Sequence, residues 1–167
     1  LRQGGTAVDA AIAANAMLGL VEPTGNGIGG DLFAIVWDPE TEQLYGLNAS
    51  GRSPMGATLA DMQAAADAHT EGKEIPPFGA APVSVPGAVD GWFMLHDKFG
   101  KKPIGELLAP SIYYAQAGAP IPEIIAYYWD RSEVRYNESF ESGMLEEVAN
   151  ANATYFSPTP TEGALFR

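Results

Sequence analysis

Gly4 to Asp31, GGTAVDAAIAANAMLGLVEPTGNGIGGD, is the stretch around which the rest of this 167-residue chain is arranged. Thr6 with Asp9 three residues on reads as a capped helix start, with a carboxylate at the positive end of the helix dipole. From Ala7 to Leu20 the only strongly polar residues are Asp9 and Asn15, so the helix is expected to be covered on all sides. Alanines at 7, 10, 11, 13, 14 and 16 favour helix and keep the cylinder thin. Gly19 and Pro23 are expected to end it. Gly25, Gly27, Gly29 and Gly30 then predict a shape-critical loop with positive φ angles or close backbone approach. Behind it, the apolar run Leu32 to Trp37 (LFAIVW) has strand length and the composition of a strand covered on both faces.

Asp38-Pro39-Glu40-Thr41 reads as a turn and Leu44 to Ala49 as an antiparallel return strand, so a hairpin follows the helix. The segment NASGRSP, Asn48 to Pro54, breaks away as an irregular strand-end loop. Thr58 caps a predicted helix over Leu59 to Ala68, with Leu59, Met62 and Ala66 on one face. A connection over Thr70 to Val85 leads to a helix over Pro86 to Phe99, its apolar face formed by Val89, Trp92, Phe93 and Leu95, stopped by Gly100. A further helix begins at Pro103 and contains Pro110, and Ile124 to Trp129 is a short one. From Arg131 the charged, Asn- and Ser-rich sequence predicts an exposed helical hairpin and then a loop through Ser157-Pro158-Thr159-Pro160. The order predicts an α+β fold, helix-rich with a central β-hairpin, in one partial domain over residues 1–167.

Two long stretches carry a resemblance to a known family. GGTAVDAAIAANAMLGLVEPTGNGIGGDLFAIVWD resembles the opening of the large chain of the γ-glutamyltranspeptidase family. SVPGAVDGWFMLHDKFGKKPIGELLAPSIYYAQAGAPI, Ser84 to Ile121, resembles the next helical segments of that family in order and spacing, and PTEGALFR the stretch leading into its following helix. The resemblance implies the four-layer αββα sandwich of N-terminal-nucleophile hydrolases, with this chain supplying helices and a central hairpin. It implies transfer of the γ-glutamyl group of glutathione or related amides to an amino acceptor or water. The small chain of the same precursor is the implied partner, and a periplasmic or secreted location is implied as well.

With no cysteine, disulfides and thiolate metal sites are excluded, and two histidines are too few for an all-histidine zinc cluster, so neither a metal nor a cofactor is expected. Nine basic against twenty-one acidic residues give a net charge of −12, which disfavours nucleic acid as a partner. No membrane span is expected: the alanine-rich helix is the longest apolar stretch, and it is short and carries Asp9 and Asn15.

The glycine loop with Gly27, Gly29 and Gly30 is expected to be structural rather than a phosphate cradle, because it follows a helix C-terminus and no GK[ST] accompanies it. Arg52 is the leading candidate for substrate binding, since a guanidinium fork matches a carboxylate. In the family an arginine after the same strand binds the α-carboxylate of the glutamyl substrate, four positions before a proline. Here Ser50 holds that position before Pro54 and Arg52 stands two before it, so Ser50 and Asn48 join Arg52 as candidates. His69 and His96 are expected to be exposed or to make structural contacts.

The family nucleophile is a threonine that becomes the N-terminus of the small chain, its own α-amino group acting as base. This chain begins at Leu1 and Thr6 is engaged as a cap, so no catalytic residue is assigned within it, and it is expected to be an inactive piece of a longer precursor. A cephalosporin-acylase-like amidohydrolase of the same family, and a non-catalytic binding module, are the alternatives.

Overall fold

The computed structural model describes residues 1–166; Arg167, the last residue of PTEGALFR, lies outside the described residues. In chain order the elements are α1 (Ala7–Val21), β1 (Leu32–Asp38), β2 (Gln43–Ala49), α2 (Leu59–His69), α3 (Ala88–Phe99), α4 (Ile104–Ala117), β3 (Ala119–Pro120), α5 (Glu123–Glu141), α6 (Ala149–Tyr155) and β4 (Leu165–Phe166). The fold is α+β, as expected. The chain divides into two compact units, one of residues 1–52 and 85–119 with Phe166, the other of residues 53–84 and 120–165.

In the first unit, α1 starts as its sequence dictates. The Thr6 hydroxyl accepts from the Asp9 N–H at 3.1 Å, and the Asp9 carboxylate accepts from the Thr6 N–H at 2.8 Å, which closes a capping box. The helix runs through Gly19 and stops at Val21, with Glu22 as C-cap and Pro23 beyond it. Its expected all-round coverage is not found: among the described residues one stripe is buried, Val8, Asp9, Ile12 and Ala16, while Leu18 is 44% exposed.

That stripe meets Trp92 and Leu95 of α3 and Leu107 of α4 in the core, with Leu32, Ala34, Val36 and Leu47 of the hairpin packed around it. Each such aliphatic side chain, fully buried, contributes about 1.5–3 kcal/mol. The buried stripe of α3 is Ala88, Gly91, Trp92 and Leu95; Val89 and Phe93, expected to be on the apolar face, are 37% and 44% exposed.

Asp9 does more than cap. It is 2% exposed, and its carboxylate also accepts from the Lys101 N–H at 3.1 and 3.2 Å and the Lys102 N–H at 3.3 Å, which fastens α1 to the turn between α3 and α4. Burial alone would push this carboxyl up. The backbone donors of Thr6, Lys101 and Lys102 outweigh burial and hold it below its ordinary value.

β1 and β2 form the expected antiparallel hairpin, in register from Leu32 opposite Ala49 to Asp38 opposite Gln43. Asp38 shapes the turn by accepting from the Glu40 N–H at 3.0 Å and the Thr41 hydroxyl at 2.7 Å. The strand is not covered on both faces: Phe33, Ile35 and Trp37 are 66%, 79% and 58% exposed, while alternate residues pack inward.

In the second unit, α2 opens with the expected Thr58 cap, again as a capping box, here with Asp61; of the face Leu59, Met62 and Ala66, only Ala66 is buried. The short helix expected over Ile124 to Trp129 is part of a longer one, α5, which is anchored by buried Ile125 and Trp129 and runs to Glu141; the stretch expected as a helical hairpin from Arg131 is the second half of α5 followed by α6. The Trp129 indole N–H donates to the Tyr155 carbonyl at 3.0 Å, which ties α5 to the end of α6. The Ser157–Pro160 segment is a loop, as expected.

Candidate functional site

The site is assembled at the open end of the hairpin. Because Leu32 pairs with Ala49, the residue before β1 comes beside the residues after β2. Asp31 accordingly accepts from the Gly51 N–H at 2.8 Å and from the Ser50 hydroxyl at 3.3 Å. The Asn48 side-chain oxygen accepts from the Ser50 N–H at 2.9 Å, a local turn that bends the chain out of the strand. The Arg52 carbonyl accepts from the Val85 N–H at 2.9 Å, which pins the loop from its other side.

One residue back from Asp31, the Gly30 carbonyl accepts from the N–H groups of Gly87 and Ala88 at 3.1 and 2.9 Å. Gly30 and Asp31 thus hold the start of α3 and the loop after β2 together. Close approach makes glycine obligatory at Gly87: a Cβ there would lie 2.2 Å from the Ala49 carbonyl oxygen. At Gly91 it would lie 2.8 Å from the Ala49 Cβ.

The three candidates therefore lie close along the chain in different states of engagement, Asn48 near the end of β2 and Ser50 and Arg52 on the loop after it. Asn48 and Ser50 are held by contacts within the site. Arg52 is exposed, and among the described residues its guanidinium has no ion pair or hydrogen bond. Its backbone is fixed and its cationic fork is free.

The glycine loop departs from expectation. None of Gly25, Gly27, Gly29 and Gly30 has positive φ, and among the described residues nothing lies within 4 Å of a Cβ built on Gly27 or Gly29. Its link to the candidate site is the Gly30 carbonyl.

Beside this loop lies a cavity of about 120 Å³ lined by Asn15, Asn26, Gly27, Gly30, Asp31 and Trp92, among others. The Trp92 indole N–H donates to the Asn15 side-chain oxygen at 2.7 Å along its wall. Ligand pockets run from about 300 Å³ upward, so this space suits a few waters rather than an amino-acid substrate.

Thr6 is excluded as a nucleophile: besides capping, its hydroxyl donates to the Phe99 carbonyl at 3.0 Å. The His96 Nε2–H donates to the Lys102 carbonyl at 2.6 Å, a structural contact, and His69 is exposed at the end of α2. Among the described residues no group of three His, Asp or Glu is arranged to hold a metal, and no helix is long and apolar enough to cross a membrane.

Residues 1–166 match the family described as Gamma-glutamyltranspeptidase. The chain belongs to the γ-glutamyltranspeptidase family. It is 37% identical over 131 residues to the glutathione hydrolase proenzyme of Bacillus subtilis (strain 168), a match covering 75% of this chain and 21% of that protein. It is 36% identical over 127 residues to the oxamate amidohydrolase proenzyme of Klebsiella pneumoniae, covering 72% of this chain and 22% of the relative. Among solved structures, the cephalosporin acylase of Bacillus halodurans superposes with a TM-score of 0.80 at 39% identity over 99% of this chain and 30% of that one. Helicobacter pylori γ-glutamyltranspeptidase gives 0.81 at 25% identity, over 99% of this chain and 45% of that one. The chain spans about a fifth of the length of the curated relatives it matches. Its fold is a part of the N-terminal-nucleophile hydrolase architecture, helix-rich around an antiparallel hairpin.

Asp31 went unremarked among the candidates, as did Gly87 and Gly91. Asp31 is exposed and carries no local signal in the sequence, since its partners come to it only through the hairpin register.

Proposed function

We propose that the gene product carrying this chain is a γ-glutamyl amide hydrolase and transferase, acting on glutathione or related amides, and that Arg52 holds the substrate α-carboxylate. The observation that carries this reading is the unpaired guanidinium of Arg52 on a loop fixed by Asp31, Asn48 and Val85. A rigid backbone beneath a free planar fork is the arrangement suited to two-point capture of a carboxylate.

The nucleophile is a threonine of the small chain. Its hydroxyl attacks the γ-carbonyl carbon while its own α-amino group takes the proton, and the amine departs with that proton. Water or an amino acceptor then cleaves the γ-glutamyl ester and restores the hydroxyl. The residues of this chain bind and orient the substrate. The small chain of the same precursor also covers the apolar hairpin face of Phe33, Ile35 and Trp37, which supports a partner there.

A second reading is favoured by two observations: Ser50 stands where the family places its arginine, and a cephalosporin acylase superposes on 99% of the chain at 39% identity. In that reading recognition of the acyl group does not depend on an α-amino group. Three anilides separate the two when assayed on the full-length gene product: γ-glutamyl, glutaryl (no amine) and γ-aminobutyryl (no α-carboxylate).

The proposed activity requires γ-glutamyl anilide to be used at least about tenfold better than γ-aminobutyryl anilide, since a bidentate charged contact contributes about 1.5–3 kcal/mol. Arg52→Lys, which keeps charge and loses the fork, is expected to remove about tenfold from kcat/KM on γ-glutamyl anilide and to spare γ-aminobutyryl anilide. Preference for the glutaryl anilide over the γ-glutamyl one supports the acylase reading. Equal use of γ-glutamyl and γ-aminobutyryl anilides refutes carboxylate recognition.

A further inference from the structure

We infer that Asp31 is a positioning residue for Arg52: its carboxylate fixes Ser50 and Gly51, and through them the direction in which the Arg52 fork is presented to substrate. The inference rests on the carboxylate-binding role proposed for Arg52. Its own basis is geometric. Gly51 immediately precedes Arg52, and its N–H donates to Asp31 at 2.8 Å; Ser50 donates its hydroxyl to the other carboxylate oxygen at 3.3 Å.

The hairpin register brings Asp31 there. It stands one residue before the Leu32–Ala49 pair, at the point where the ladder stops and the chain turns out. Asn48 shapes the turn locally, but its contact ends at the Ser50 N–H. Val85 holds the Arg52 carbonyl, on the far side of that residue. Between these two points, Asp31 supplies the contact that keeps the peptide entering Arg52 from rotating. A carboxylate suits the task because it offers two acceptors and can take both donors together.

The Ser50 hydroxyl, engaged with Asp31, leaves substrate capture to the arginine. The shift from the family spacing is thereby explained: the serine at the usual arginine position works with Asp31 as part of the support, and the fork has moved two residues on.

The test uses Asp31→Ala and Asp31→Asn in the processed full-length enzyme, with the γ-glutamyl, glutaryl and γ-aminobutyryl anilides. Asp31→Ala is expected to raise KM about tenfold for the two anilides with a carboxylate, with little change in kcat, and to shift the γ-aminobutyryl anilide by less than about twofold. Asp31→Asn, whose single oxygen can still accept from Gly51, is expected to recover most of the loss. In an Arg52→Ala background, Asp31→Ala is expected to add less than about twofold, because residues acting through one another are not additive.

Equal losses on all three anilides, or none on any, overturn the inference while the role of Arg52 stands. A loss that follows the amine, sparing only the glutaryl anilide, makes Asp31 a direct substrate contact and also overturns it. So does a full additional loss in the Arg52→Ala background. A wild-type enzyme that does not prefer carboxylate-bearing anilides overturns the role of Arg52, and this inference falls with it.

Discussion

Asp9→Asn removes one charge from the core and is expected to destabilise the first unit by about 2–4 kcal/mol. The carboxylate accepts from three backbone N–H groups, those of Thr6, Lys101 and Lys102. Hydrogen bonds to a charged group contribute about 1.5–3 kcal/mol each and neutral ones about 1 kcal/mol, and asparagine keeps one acceptor while turning an NH₂ group toward a donor. The pH dependence gives the reasoning a second edge. The folded carboxyl lies below its ordinary value, so its stabilisation is fully present above the unfolded pKa of about 3.9 and is lost as the pH falls through the folded value. Urea unfolding of the wild-type and Asp9→Asn gene products, followed by tryptophan fluorescence, should show a constant gap between pH 7 and pH 5 that narrows below about pH 4. A gap under about 0.5 kcal/mol at pH 7, or one that persists unchanged into acid, would refute the argument that the ionised carboxylate fastens α1 to the α3–α4 turn.

Gly87→Ala forces a Cβ to within 2.2 Å of the Ala49 carbonyl oxygen and should cost about 1–3 kcal/mol by urea unfolding, whereas Gly27→Ala, with open space around it, should stay within about 0.5 kcal/mol. Trp92→Phe leaves the Asn15 side-chain oxygen without its donor at 2.7 Å and should lower stability by about 1–3 kcal/mol; substituting Asn15 by alanine as well should then cost less than it does in the wild type.

What the sequence made legible was local. Thr6 with Asp9 and Thr58 with Asp61 announce their helices, because a capping box is complete within four residues. The hairpin was legible from an apolar run, a turn beginning with aspartate and proline, and a second run of matching length. The length of α5 was not. Its charged outer residues suggested a break, yet no glycine or proline interrupts Glu123 to Glu141, and the helix stops only there, with Ser142 as C-cap and Gly143 at positive φ. Coverage of α1 and β1 was overestimated because apolar composition reports what a surface requires, and the described residues supply a covering for one side only. At the site, Arg52 could be singled out by its chemistry. Asp31 could not, since its partners are set by strand register across nineteen and twenty residues of sequence, and Gly87 mattered only once Ala49 was beside it.

The Gly30 carbonyl also bears on where an anion can rest near the start of α3. A helix start ordinarily offers unpaired N–H groups and a partial positive charge, a natural resting place for a carboxylate. At the start of α3, the Gly87 and Ala88 amides are already turned onto Gly30, and Asp90 places a negative charge in the first turn. Part of that helix end is thus answered from within the fold. In the proposed reading, a γ-glutamyl carboxylate arriving beside it meets two amides already engaged and a like charge, which favours a side-chain cation, Arg52, as its receiver.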